Sequence, residues 1–523
     1  MQIGIIDIIT FILYLITVVS IGLLVGRKER SSSEDYFLAG KNLPWFAIGS
    51  SIVASSISTE QFIGEVGFAY RYGLTVANWE WSIAPALTMM VFIFVPYYLK
   101  NNIRTMPEYL ERRYDSRVST IFALLTVLSY VFINMAGVVY SGGYLLEKVF
   151  GINRYFVMWL LAGAGGVFTI YGGLSAVVWT DLVQTSLLMV GGIVVFILGV
   201  YTVPGGWEQI IGTGERSHLI LPAAHPDLPW TAMLVLTLST DVWYYGTNQY
   251  INQRCLGAKT QWDARMGLIF SGFLGILLAL VVTFPGMIAY ALNPNLPEAD
   301  QAYPFLITTL VPLGLRGLII AALMAAIMST FNSLLNSSAT ILTLDIYKRH
   351  LKPAATDREM IRFGQLCGIV ILLVGTTWAP MVAKFGSIFA FFQEGWVLFA
   401  APIVAVFLLG LFWKGATPRA ALWTLLLCFP VFALVYVRRA VGWEINPFNL
   451  GGLVLFFSFA FMISLSKLTK YSNIHKNTDI LWDSSLLRLP VEESSKRKGI
   501  PCQFIFWWIL MVLIYVGIYI IYW

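Results

Sequence analysis

The stretch Ala54-Ser55-Ser56-Ile57-Ser58-Thr59-Glu60-Gln61 decides the fold. It lies inside an apolar run near 44–70, where an uninterrupted membrane helix would carry Leu and Val, and puts hydroxyls, an acid and an amide there instead. At membrane depth such groups are tolerated only where they face protein or line a cavity. The stretch therefore reads as a helix broken in mid-membrane. Thr237, Ser239, Thr240 and Asp241, followed by Trp243-Tyr244-Tyr245-Gly246, repeat the idea in a later run near 229–248. Paired interrupted helices in corresponding positions point to the midplane site of a secondary transporter.

Outward from these two runs, the same apolar texture continues along all 523 residues. The chain is 58% hydrophobic and 12% charged, whereas soluble domains carry about 25% charged residues. Apolar runs long enough to cross a bilayer fall near 6–26, 44–70, 76–99, 119–149, 155–171, 178–202 and 229–248. They continue near 266–292, 313–344, 361–383, 386–413, 420–437, 448–466 and 503–523. These fourteen expected spans make an all-α integral membrane protein. Spans 2–6 and 7–11 form two sets of five, and an odd-numbered set places its second copy upside down. The expected organisation is a leading helix and cytoplasmic loop (1–43), a first five-helix repeat (44–202), and a second repeat with its preceding extracellular loop (203–413). Three further helices (414–523) enclose a cytoplasmic loop at about 467–502.

Most of the 34 Lys and Arg fall in segments after odd-numbered spans. By the positive-inside rule those segments are cytoplasmic, so both termini are expected outside, in a plasma or bacterial inner membrane. The net charge of +6 thus records topology and implies no nucleic-acid partner. Cys255, Cys367, Cys428 and Cys502 lack paired spacing, and the four histidines sit in connecting segments. No phosphate loop, GxSxG elbow or HExxH pattern occurs, so the chain is not expected to be an enzyme and needs no cofactor beyond a coupling ion.

Six acids fall inside spans: Glu60, Glu65, Glu80, Asp181, Asp241 and Glu394. Each costs roughly 2.5–3.5 kcal/mol on insertion scales, and no Lys or Arg is expected at comparable depth. The interior therefore reads as a cation-seeking cavity. Span 9 supplies Ala325-Ala326-Ile327-Met328-Ser329-Thr330-Phe331-Asn332-Ser333, whose adjacent hydroxyls, with carbonyls freed by a broken helix, suit a hard monovalent ion.

Several long motifs, in this order, resemble the solute:sodium symporter family. They are Glu34-Asp35-Tyr36-Phe37-Leu38-Ala39-Gly40-Lys41, Thr59-Glu60-Gln61-Phe62-Ile63-Gly64, and Tyr171-Gly172-Gly173-Leu174-Ser175-Ala176-Val177-Val178-Trp179-Thr180-Asp181. Asn248-Gln249-Tyr250 with Gln253-Arg254, and Ala405-Val406-Phe407-Leu408-Leu409-Gly410-Leu411-Phe412-Trp413, extend the match. The resemblance is greatest to bacterial sodium/galactose and animal sodium/glucose cotransporters, and it implies a LeuT-type five-plus-five inverted-repeat bundle working by alternating access.

Carried over by position, the resemblance implies a sodium site formed by the carbonyls of Ala54, Ile57 and Ala326 and the hydroxyls of Ser329 and Thr330, with Asp181 on the ion's cytoplasmic exit path. Ser333 keeps the pattern of a second sodium site and Asn332 interrupts it, which favours one sodium per cycle. The implied solute residues are Gln61, Glu80, Asn134, Tyr244 and Gln393. Tyr244 would be both stacking platform and inner gate, and Phe389 an outer-gate aromatic. Departures bear on specificity: Asp241 replaces a solute-contacting Asn, Gly275 a pocket Lys, Ile83 a pocket Ser, and Glu65 an apolar outer-gate residue. Gained acids and a lost base point to a neutral sugar or polyol, a hexose or cyclitol, and leave open an amino sugar paired with Asp241. A sialic acid solute, proton coupling and a non-transporting sugar sensor on the same fold are the remaining alternatives.

Overall fold

The computed structural model describes residues 4–27, 32–58, 60–385, 388–443, 445–469, 481–495, 499 and 503–523. Among them the chain is helical between its connecting segments, with no strand and one isolated bridge joining Leu43 to Ala258. The helices that position the site are α1 (Ile5–Gly26), α2 (Trp45–Ser56), α3 (Val66–Tyr72), α4 (Asn78–Trp81), α5 (Arg154–Thr202), α6 (Val242–Gly246) and α7 (Gln249–Leu256). They are completed by α8 (Gln261–Leu292), α9 (Arg316–Ile341), α10 (Ile388–Phe412) and α11 (Phe504–Ile521).

Among the described residues nine helices are long and apolar enough to cross a membrane, and three shorter apolar ones accompany them. Nine is fewer than the fourteen expected spans because helical runs fuse across kinks and others are cut short by breaks. The clearest fusion is α5, whose 49 residues would make about 73 Å of straight helix, more than twice a bilayer core. It bends at Gly173 (φ 62°, ψ −151°), between expected spans 5 and 6. A Cβ at Gly173 would lie 2.2 Å from the Tyr36 carbonyl oxygen, so both the positive φ and the close approach require glycine.

Burial in the bundle is graded from centre to rim. In the run containing α9, 89% of the most apolar window is buried, against 17% in α1 and α11. Ile5, Ile9, Leu13, Ile16, Leu513 and Ile520 are exposed, as befits apolar side chains facing lipid. Asp7 is fully buried at the start of α1 and accepts hydrogen bonds from the Gly314 and Gly317 amides at 3.1 and 2.7 Å, tying the peripheral helix to the head of α9.

The first interruption stands as read. α2 stops at Ser56, Ile57 is extended (φ −107°, ψ 127°), and helix resumes in a π-helical turn over Gln61–Glu65 that runs into α3; Thr59 lies outside the described residues. The second interruption is of another kind. Leu236–Asp241 is a π-helical turn between Trp230–Val235 and α6, so the helix widens there without unwinding, and the chain leaves helical geometry only at Thr247 and Asn248. An open break in the membrane needs donors opposite the freed carbonyls. Ser329 and Thr330 supply them at the first break, whereas the Ser239 and Thr240 hydroxyls of the second have no partner within the protein.

Candidate functional site

The break between α2 and α3 turns backbone carbonyls toward α9. Ser329 Oγ donates to the carbonyl of Ala54 at 2.5 Å and to that of Ala326 at 3.0 Å. Thr330 Oγ1 donates to the carbonyl of Ile57 at 2.9 Å, with that of Ser55 at 3.3 Å. The five oxygens expected to hold sodium are thus brought together at one junction, from two chain segments more than 270 residues apart. All are hard, neutral donors, and none carries a proton that must be lost before a cation binds. This donor set fits sodium.

Beneath the junction lies a buried polar ladder. Ser333 Oγ donates to the Ser329 carbonyl at 2.7 Å and lies 2.8 Å from Ser55 Oγ, and Ser51 Oγ donates to Asp181 Oδ2 at 2.5 Å. Arg254, from α7, reaches into the middle of it. Its Nε donates to Ser51 Oγ at 2.9 Å, and its Nη2 to Ser55 Oγ at 2.8 Å, to Ser333 Oγ, and to Asp181 Oδ2 at 3.4 Å. Both Arg254 and Asp181 are fully buried. This corrects the expectation of an interior without a base: Arg254 reads from sequence as one more cytoplasmic-loop cation, yet all eight residues of α7 are buried. A signal was present in the run Tyr250-Ile251-Asn252-Gln253-Arg254-Cys255-Leu256, where Arg254 is the lone charge among apolar and amide neighbours.

On the other side of the break is a small polar cavity of about 60 Å³ lined by Ser56, Gln61, Trp79, Glu80, Ile83, Leu236, Thr240, Asp241, Tyr244, Tyr245 and Trp396. Ligand pockets generally run to ~300–1,000 Å³, so a solute of hexose size enters only if these walls move. Two π-helical turns reach the cavity, Gln61–Glu65 through Gln61 and Leu236–Asp241 through Leu236, Thr240 and Asp241, consistent with the frequent use of such turns at functional sites. Asp241 Oδ2 accepts from Ser82 Oγ at 3.0 Å, while Tyr244 packs edge-on against Tyr250 and tilted against Trp396.

Of the expected solute residues, the cavity gathers Gln61, Glu80, Asp241 and Tyr244. Gln61 has a second role that sequence did not indicate: its Oε1 accepts from the Ser58 amide at 2.6 Å and its Nε2 donates to the Ser56 carbonyl at 2.7 Å, bracing the break itself. Asn134 does not line the cavity. It lies behind the wall, its Oδ1 accepting from Trp396 Nε1 at 2.8 Å. Glu65 is also displaced from the expected outer gate. It is fully buried against α8, with Oε1 accepting from Thr283 Oγ1 at 3.0 Å, and does not line the cavity. Gly275 and Ile83 adjoin one another, a Cβ at Gly275 meeting Ile83 Cδ1 and the Tyr515 hydroxyl at 3.0 Å. The side chains of Phe389, Gln393 and Glu394, on α10, lie outside the described residues. Trp396 is a cavity residue that the sequence did not single out, and Ser82, which donates to Asp241 from outside the lining, is another residue it missed.

Comparisons with known proteins bear on the family and the fold. A family model described as the sodium:solute symporter family matches residues 36–428. The chain is 38% identical over 448 residues to a sodium/glucose cotransporter of Vibrio parahaemolyticus, covering 80% of this chain and 82% of that one. It is 31% identical to a sodium/myo-inositol cotransporter of Mus musculus, with 79% of this chain but 64% of the mouse protein covered, the latter being longer. Among solved structures, a sodium-coupled sialic acid symporter in a substrate-bound outward-open state is similar at a TM-score of 0.79 with 23% identity, over 89% of this chain and 98% of that one. A nucleobase-cation-symport-1 family transporter in a closed conformation is similar at a TM-score of 0.53 with 15% identity, over 85% and 98%.

Proposed function

This chain belongs to the sodium:solute symporter family, a membrane transporter of LeuT-type fold with sodium as its coupling ion, and from that premise we propose that it imports a sugar or polyol by alternating access. The observation that carries this reading is the meeting, at one helix break, of an oxygen-lined junction and a cavity walled by Gln61, Glu80, Asp241 and Tyr244. The carbonyls of Ala54, Ile57 and Ala326 with Ser329 and Thr330 hold sodium, and Asp181 lies on its way to the cytoplasm. The relatives named for glucose and myo-inositol support a polyhydroxylated solute.

In this reading sodium, entering from outside, replaces hydroxyl-to-carbonyl hydrogen bonds with ion contacts and draws the break onto α9. Gln61, which braces the same break and lines the cavity, passes that ordering to the solute side. The walls then close over the solute, and Tyr244 yields inward. One sodium per cycle is favoured because Ser333, the hydroxyl suited to a second ion, is engaged by the Arg254 guanidinium, whose positive charge opposes another cation. One charge crossing 100 mV contributes about 2.3 kcal/mol, and a tenfold gradient adds about 1.4 kcal/mol, enough for accumulation of several hundred-fold.

We further take 44–202 and 203–413 as the two inverted repeats and place both termini outside, on the strength of the basic residues after odd-numbered spans. The test is uptake into proteoliposomes of labelled glucose, galactose and myo-inositol, with an inward sodium gradient expected to drive accumulation of at least one. Uptake that a proton gradient drives equally well with choline replacing sodium would defeat the reading. Binding of these solutes without flux would instead make the protein a sensor.

A further inference from the structure

Glu80 and Asp241 come from segments about 160 residues apart, α4 and the π-helical turn before α6, and face one cavity. They are 7% and 6% exposed, and no Lys, Arg or His is among the described residues lining that cavity. The nearby buried cation, Arg254, is committed on the far side of the break to Asp181 and the serine ladder. Four of the other nine lining residues are aromatic, Trp79, Tyr244, Tyr245 and Trp396, beside Ser56, Gln61, Ile83, Leu236 and Thr240. Thr240 also lines the cavity, is 4% exposed, and its hydroxyl has no partner within the protein. Two buried carboxylates in an aromatic enclosure match an organic ammonium, which is attracted by ring faces and donates charge-assisted hydrogen bonds. A sodium ion is better served by the oxygen-only junction, whereas a wholly neutral solute offers the two acids hydroxyl contacts but no counter-charge.

We propose that the transported sugar or polyol carries a protonated primary amine, held by Asp241 and Glu80 with Thr240 accepting or donating at a neighbouring hydroxyl. The inference rests on the symporter reading above and narrows its solute class. Ser82, which donates to Asp241 Oδ2, acts as a positioning residue by directing the other oxygen of that carboxylate toward the ammonium.

The experiment uses the full chain in proteoliposomes at a fixed sodium gradient and compares uptake of matched probes: glucosamine, glucose and N-acetylglucosamine, then galactosamine, galactose and N-acetylgalactosamine. The amine is expected to be taken up with at least about tenfold lower KM than its hydroxyl parent, the factor one charge-assisted hydrogen bond supplies, and acetylation should abolish the advantage. Asp241→Asn, and separately Glu80→Gln, should reduce the amine-to-parent ratio toward one. Sodium-dependent thermal stabilisation of each variant shows that it is folded and still binds the ion. A parent sugar taken up as well as its amine, or an amine advantage that survives both substitutions, overturns the inference while leaving sodium symport intact. Absence of sodium-driven uptake for every probe refutes the symporter reading and this inference with it.

Discussion

The oxygen junction and the acidic cavity lie on either side of one helix break, yet they are built on opposite principles. At the junction each hydroxyl of Ser329 and Thr330 already meets a carbonyl, and the charges below it are paired as Arg254 with Asp181. In the cavity two acids line one space with no base among the described lining residues, and the Thr240 hydroxyl is unmatched. Groups that satisfy one another define a preformed site, where an ion substitutes for contacts already made. Unmatched buried groups are costly, so the cavity reaches its best state only with a partner inside it. The first arrangement favours a small ion of fixed chemistry; the second permits specificity to change by single residues such as Asp241.

Four experiments sharpen or break that contrast. The largest effect is expected from Arg254→Met, which strands Asp181 and should destabilise the protein by about 3–5 kcal/mol; adding Asp181→Leu should restore part of that stability. Unfolding of the single and double variants in detergent measures the coupling, and simple additivity would mean that the buried pair is not a unit. Next, Ser329→Ala with Thr330→Ala should raise the sodium concentration for half-maximal uptake by more than about tenfold, two hydroxyls at about 1 kcal/mol each. Uptake with unchanged sodium dependence would move the ion elsewhere.

Gln61→Ala removes partners from the Ser58 amide and Ser56 carbonyl and should cost about 1–3 kcal/mol of stability. Because Gln61 belongs to both regions, sodium and solute affinity should weaken together; a change confined to the solute would assign it to the cavity alone. The smallest effect is expected at Asn134→Ala, which releases the Trp396 indole and should raise solute KM by roughly fivefold, about one hydrogen bond, with kcat nearly intact. A collapse of kcat in steady-state uptake would show that Asn134 does more than hold the wall.

Much of this was legible in the chain because hydrocarbon makes polar residues conspicuous. Ser55, Ser56, Ser58, Glu60 and Gln61 stand out in an apolar run, and the structure breaks the helix there. The same reasoning failed at Thr237–Asp241, since a π-helical turn absorbs polar residues without opening the backbone. It failed at Arg254 because counting loop cations assigns a side, and cannot see that a short helix folds back under the junction. Glu65 reads as an in-span acid and Asn134 comes only from the family resemblance as a solute residue; one lies against Thr283 and the other behind Trp396, distinctions that spacing along the chain does not encode.

The sequence by itself determined the membrane environment, the location of the first break and the hydroxyls that would face it, because insertion into lipid penalises each unsatisfied polar group locally, residue by residue. Only the tertiary structure decided which buried charges neutralise one another. Coulombic pairing and hydrogen bonding depend on distances between segments such as α7 and α5, and those distances exist only once the bundle has packed.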